Sequence, residues 1–339
     1  MSIQDAIKAI VQGRDLAQEE AAAVMEQIMT GGATDAQIGA FLTALHLKGE
    51  TDAEIAGMAE VMRDKAVRVY HDRPVLDTCG TGGDSANTFN ISTAAAFIAA
   101  GAGATVAKHG NRAMTSRCGS ADVLEGLGVN IELDADGVSR CLRDAHIGFM
   151  FAQKFHPAMR YVGPIRREIG IRTAFNVLGP LTNPAHAQYQ VVGVPDAPLA
   201  EKIARALSRM GTQHALVVHG TDGVDEISLA APTLIWQVRA GAEPERMELT
   251  PESVGLARAG RDTIMGGSVT ENVATVRGIL EGSVGGPRRD IVVLNAAAAL
   301  VAAELASDFA DAVALAQTIL DEGRAYERLD QMVHSSQMH

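Results

Sequence analysis

Val75-Leu76-Asp77-Thr78-Cys79-Gly80-Thr81-Gly82-Gly83-Asp84-Ser85 runs from a short apolar, β-type segment into a glycine turn, and Asn90-Ile91-Ser92-Thr93 then opens an alanine-rich helical stretch. A strand that hands over to a helix through closely spaced glycines is the opening unit of a parallel α/β sheet. Successive glycines let consecutive N–H groups turn inward, and a helix start adds the positive end of its dipole. The pairing suits a phosphate or pyrophosphate. The loop is not a P-loop, since no Lys-Ser/Thr pair follows, and it fails the dinucleotide fingerprint, since Ser85 stands where the third glycine belongs. Taken alone, a ligand-free tight turn remains open as the plainer reading.

Working outward, β-type runs recur at 104–108, 148–152, 189–194 and 214–219, most separated by one helix length and each followed by polar or glycine-rich residues. This predicts a mostly parallel sheet covered by helices on both faces, with ligands gathered at the carboxyl ends of the strands. Before the first strand the texture is different. Thr34 with Gln37 and Thr51 with Glu54 have capping-box spacing, Gly13, Gly31-Gly32 and Gly49 stand at helix stops, and Ile38, Phe41, Leu42 and Leu45 recur on one helical face. The expected organisation is a helical-bundle domain over 1–70 and a larger α/β domain over 71–339, with a mostly helical segment, 157–184, returning to the bundle and leaving a cleft.

Composition narrows the function classes. The 339 residues carry 29 Lys and Arg against 41 Asp and Glu, a formal net charge of −12, which argues against a nucleic-acid partner. Cys79, Cys118 and Cys141 cannot all pair and lack metal spacing, which fits a reducing cytoplasm. The N-terminus has no signal-peptide pattern, and the longest apolar stretches, 91–107 and 291–306, are interrupted short of the roughly 18 residues of a membrane span.

Three further segments can carry chemistry. Lys108-His109-Gly110-Asn111-Arg112 closes the second β-type run, and Ala113-Met114-Thr115-Ser116-Arg117-Cys118-Gly119-Ser120 continues it, offering a point charge, a planar fork and hydroxyl groups suited to a phosphorylated sugar. A solvated turn is the alternative. Asp225-Glu226, in a glycine-rich turn after the 214–219 run, are adjacent carboxylates that could hold Mg²⁺, act as acid or base, or simply face water. One of Arg166-Arg167 and Arg172, ahead of Gly179-Pro180-Leu181-Thr182-Asn183-Pro184, could clamp a carboxylate, while Arg166 or Arg167 could instead pair with Glu168 or another surface acid. His46, His71, His156, His186 and His214 show no metal spacing and read as structural, and Trp236 as core.

In this order, Asp77 to Asp84, Lys108 to Arg112, Gly119-Ser120-Ala121-Asp122-Val123-Leu124-Glu125, Arg172 to Pro184, Val224-Asp225-Glu226 and Arg288-Arg289-Asp290-Ile291-Val292-Val293-Leu294-Asn295 resemble the anthranilate phosphoribosyltransferase family over nearly the whole chain. The resemblance implies a helical domain and an α/β domain around a cleft, homodimers formed through the helical domains, and Mg²⁺-dependent transfer of the phosphoribosyl group of phosphoribosyl pyrophosphate to the amine of anthranilate in tryptophan biosynthesis. By the same resemblance Gly80, Gly83, Asp84, Thr88, Asn90, Ile91, Ser92, Thr93, the run from Lys108 through Ser116 and Ser120 bind phosphoribosyl pyrophosphate. Ser92, Asp225 and Glu226 hold Mg²⁺, and Gly80, Asn111 and Arg166 contact anthranilate. No residue is assigned as general acid or base. Cys118 departs from the family pattern, which more often has serine, so a substrate contact there would be weaker. A pyrimidine nucleoside phosphorylase would share the architecture, but its Lys-His-Ser-Thr-Gly-Gly run is absent.

Overall fold

Side-chain caps start the N-terminal helices where the sequence signals them. The chain opens with α1 (Ile3–Val11), α2 (Gln18–Met29), α3 (Asp35–Lys48) and α4 (Asp52–Asp64). Thr34 and Gln37 exchange reciprocal hydrogen bonds at the start of α3, and Thr51 and Glu54 do so at the start of α4. Glu54 does more than cap: its buried carboxylate also accepts from the Leu16 N–H at 2.9 Å and from Lys48 Nζ at 2.9 Å, tying the entry of α2 and the end of α3 to α4. The computed structural model describes residues 1–83, 86–113 and 117–338.

From residue 75 strands and helices alternate: β1 (Val75–Gly80), α5 (Ile91–Gly101), β2 (Thr105–Gly110), α6 (Ser120–Gly126), α7 (Ala135–Asp144) and β3 (Ile147–Phe151). A helical stretch follows, with α8 (Ala152–Phe155), α9 (Gly163–Ile169) and α10 (Phe175–Leu178). Then come β4 (Tyr189–Gly193), α11 (Ala197–Arg209), β5 (His214–Gly220), β6 (Thr233–Arg239), β7 (Glu245–Leu249), α12 (Val269–Leu280), α13 (Pro287–Ala302), α14 (Phe309–Asp321) and α15 (Arg324–Ser336). Among the described residues the strands form one sheet in the order β3-β2-β1-β4-β5-β6-β7. The first five are parallel, and β6 and β7 add as antiparallel strands. The alternation read from sequence misses those last two, because a hairpin edge carries no helix between its strands.

The topology decides where a ligand can sit. From β1 the chain moves outward through β2 to β3, then returns to β4 on the other side of β1, so the order reverses between β1 and β4. A crevice opens at the carboxyl ends of strands at such a switch point. Side chains alternate across the sheet: Leu216 and Val218 of β5 enter the core with α5 and α13, while Ala215 and Val217 enter the core shared by α1 to α4 and α11. Val162, Ile165, Phe175 and Leu178 of the 157–184 stretch belong to that second core. No helix among the described residues is long and apolar enough to cross a membrane.

Candidate active site

The carboxyl ends of β1, β4 and the loop after β5 meet at the switch point. The Thr81 N–H donates to the Gly193 carbonyl at 2.9 Å, and the Gly82 N–H donates to Asp225 Oδ2 at 3.0 Å. Gly80 permits this approach, since a Cβ there would stand 2.7 Å from Asp225 Oδ2. Glycine turn and acidic pair, far apart in sequence, therefore share one crevice. The acidic loop is held from behind by Asn295, the residue that interrupts the apolar run of α13. Its Oδ1 accepts from the Ile227 N–H at 2.8 Å, and its Nδ2 donates to the Ile227 carbonyl at 3.0 Å.

The start of α5 faces the same region without a side-chain cap. Asn90, at the cap position, instead donates through Nδ2 to the Cys118 carbonyl at 3.2 Å and accepts from Asn272 at 3.2 Å. The Ile91 N–H donates to the Phe89 carbonyl at 2.7 Å, and among the described residues the Ser92 and Thr93 N–H groups are left for another acceptor, the ordinary condition of an anion-binding helix start. The Thr93 hydroxyl is buried and has no hydrogen-bond partner among the described residues. Thr88 forms an isolated bridge with Met265.

Lys108 is buried rather than turned outward, with 2% of its surface exposed. Its ammonium donates to the Thr78 carbonyl, and lies 3.3 Å from Thr78 Oγ1 and 3.4 Å from Ser92 Oγ. The nearby Asp77 is fully buried, accepting from Asn183 Nδ2 at 2.7 Å and from the His109 N–H at 3.2 Å. Burial pushes the Asp77 carboxyl up and the Lys108 ammonium down, and each charge opposes the shift of the other. Asn183 also donates to the Ala107 carbonyl at 2.8 Å, so one amide joins β1, β2 and the 179–184 turn. His109 meets His156 with Nε2 atoms 3.1 Å apart, and burial lowers their pKa values to about 3 and about 4.

Past β2, Asn111 accepts from the Arg112 N–H at 2.8 Å and from Gln153 at 3.4 Å. Gly110 lies so near the Ser120 hydroxyl that a Cβ would collide with it. The Arg112 guanidinium is spent within the protein, on Asp122 at 2.9 Å and on Glu125 at 2.8 and 3.1 Å. Asp122 in turn accepts from the Ala113 and Gly119 N–H groups at 3.0 and 2.8 Å. Asp84, Met114, Thr115 and Ser116 lie outside the described residues. Cys118 is buried, its thiol 3.7 Å from the Gly119 carbonyl, and burial pushes the thiol pKa up.

Arg166, on α9, is half-buried over the Phe175 ring at 5.4 Å, and donates to Asn176 Oδ1 at 3.4 Å. Among the described residues it makes no ion pair, with Glu168 or any other acid, and burial lowers its pKa. A half-desolvated guanidinium that no carboxylate neutralises is suited to an anionic ligand. From sequence Arg172 is one of three arginines that could clamp a carboxylate. Its guanidinium lies against Gly83.

No group of three or more His, Cys, Asp or Glu side chains that could hold a metal occurs among the described residues. The donor set of Asp225 and Glu226 still fits Mg²⁺, which commonly takes one or two carboxylates and completes its shell with water and substrate phosphates.

Residues 72–326 match the glycosyl transferase family, a/b domain, and residues 4–66 match the helical bundle domain of that family. The anthranilate phosphoribosyltransferase of Chloroflexus aurantiacus is 69% identical over 333 residues, covering 98% of both chains. The crystal structure of the enzyme of that name from Thermus thermophilus is 44% identical, with a TM-score of 0.93, and covers 98% of this chain and 100% of its own. That of Saccharomyces cerevisiae in complex with PRPP and Mg is 26% identical, with a TM-score of 0.90, covering 98% of this chain and 97% of its own. On this likeness, over essentially its whole length, the chain belongs to the anthranilate phosphoribosyltransferase family.

Proposed function

We propose that the protein transfers the 5-phosphoribosyl group of phosphoribosyl pyrophosphate to the amine of anthranilate, giving N-(5-phosphoribosyl)anthranilate and pyrophosphate in tryptophan biosynthesis. The observation that carries this reading is the contact between the Gly82 N–H and Asp225 at the switch point, which joins an anion-suited turn to a metal-suited acid pair. Asp225 and Glu226, with Ser92, are the groups that would hold Mg²⁺. Bound there with the diphosphate, the ion would supply positive charge to the leaving group.

The Gly83 N–H and the start of α5 draw the donor's phosphates, and preorganised dipoles of this kind favour the departing pyrophosphate as the ribose C1–O bond loosens toward an oxocarbenium-like state. Lys108 adds positive potential from beneath, through Thr78 and Ser92. Arg166 takes the anthranilate carboxylate, with Gly80 and Asn111 beside it, so that the amine is held in line with C1. The weakly basic aromatic amine needs alignment more than activation. It gives up its proton readily once the new bond forms, so no side chain is assigned as general base.

The bundle, with the 157–184 stretch, and the α/β part would form the two walls of the cleft. The family resemblance is what supports pairing of two protomers through the bundle, on which Val11 and Leu47 are 71% and 79% exposed. The free thiols of Cys79, Cys118 and Cys141 agree with a cytoplasmic setting. The test is loss of anthranilate fluorescence with phosphoribosyl pyrophosphate and Mg²⁺, run beside the Asp225→Asn/Glu226→Gln variant. Metal-dependent consumption that falls at least about a hundredfold in the variant is expected, on the scale of lost transition-state charge stabilisation. Persistent fluorescence with the wild-type protein would overturn the acceptor.

A further inference from the structure

Arg172 has no part in the roles assigned above, yet its guanidinium rests on the loop that forms the anion nest. A Cβ built on Gly83 would overlap Nη1 and stand 2.8 Å from Cζ and 3.1 Å from Nη2. With φ at +81°, Gly83 is also in the region that side chains avoid, so the residue type serves both the turn and the arginine. Among the described residues Arg172 makes no hydrogen bond or ion pair. Arg112, in the neighbouring loop, is neutralised by two carboxylates.

The backbone around Arg172 is held on both sides. Helix α9 stops at Gly170, in the left-handed region at φ +68°, and the Thr173 N–H donates to Asn176 Oδ1 at 3.0 Å. Asn176 is the same residue that accepts from Arg166. Two arginines without acidic partners among the described residues therefore flank one amide, which takes Arg166 directly and holds the backbone next to Arg172.

We propose that Arg172 is a donor-binding residue: when phosphoribosyl pyrophosphate occupies the turn, the guanidinium hydrogen-bonds the phosphate oxygens held there, opposite the N–H groups. Arg166 serves the acceptor and Arg172 the donor, and Asn176 keeps the two in register. The inference rests on the proposed reaction.

Arg172 is exposed, so Arg172→Gln is expected to fold, with an unchanged thermal midpoint. Its KM for phosphoribosyl pyrophosphate, and its Kd for that donor with Mg²⁺ by titration calorimetry, should each rise about tenfold or more, as for a lost charged hydrogen bond. The KM for anthranilate should stay within about twofold. Arg172→Lys should recover only part of the loss, since it keeps the charge without the planar fork. Unchanged donor constants in Arg172→Gln, or a rise confined to anthranilate, would overturn the assignment. If the wild-type protein consumed no anthranilate, the acceptor reading would fall, and the donor titration would still decide the role of Arg172.

Discussion

Two cations of the crevice, Lys108 on the sheet side and Arg166 on the returning helical stretch, differ in what neutralises them. Lys108 is buried beside Asp77 and donates to Thr78 and Ser92, so its charge acts from beneath, through groups of the floor of the site. Arg166 is half-buried and stacked on Phe175, and its one hydrogen bond among the described residues is to the neutral amide of Asn176. One charge therefore builds the site, and the other is presented to whatever enters it. Position near a crevice does not by itself tell which; the partners already made do.

Removing the buried charge has the largest expected effect. Lys108→Met leaves Asp77 uncompensated, and should cost about 3–5 kcal/mol of stability, measured as the urea midpoint. Adding Asp77→Asn should return part of that loss, because the penalty is that of an unpaired buried carboxylate. A double variant no more stable than the single one would contradict the coupling of the two charges.

The His109–His156 contact sharpens the same distinction through pH. Both imidazoles are held neutral by burial, with pKa values lowered from 6.5 to about 3 and about 4. The unfolded chain takes up protons first as pH falls, so this contribution to stability is complete above 6.5 and is lost as pH drops from there toward the folded-state values. In His156→Leu the fall of stability between pH 6.5 and 5 should be shallower by about one proton, or ~1.4 kcal/mol per pH unit. An unchanged slope would mean that folding does not lower the pKa of His156.

The smallest effect is expected at Cys118. Its buried thiol lies near the Gly119 carbonyl, and the contact that bridges the loops is the Cys118 carbonyl with Asn90. Cys118→Ser should leave the donor KM within about twofold, since the backbone contact survives. A larger change would place the side chain against substrate, as the family comparison of that position first suggested.

The local signals of this fold were legible because they act over a few residues: reciprocal caps at Thr34 and Thr51, the glycine turn after β1, and apolar periodicity. The crevice was legible from topology, since parallel strands gather their loops at one edge. What escaped depends on neighbours distant in sequence. The pattern identifies Lys108 as a cation after a strand, but not that both faces of β2 are covered. Asn183 and Asn295 look like interruptions of apolar or turn segments until their carbonyl and N–H partners are known. Likewise, nothing local in Arg172 announces Gly83.

The anthranilate saturation curve of Arg166→Gln, taken at saturating phosphoribosyl pyrophosphate and Mg²⁺, tests most directly whether the charge without an acidic partner is the one offered to substrate. A KM for anthranilate raised about tenfold or more, with the donor KM and the urea midpoint unchanged, is the predicted result. An anthranilate KM equal to that of the wild-type protein would contradict it, and Arg166 would join Lys108 as part of the scaffold.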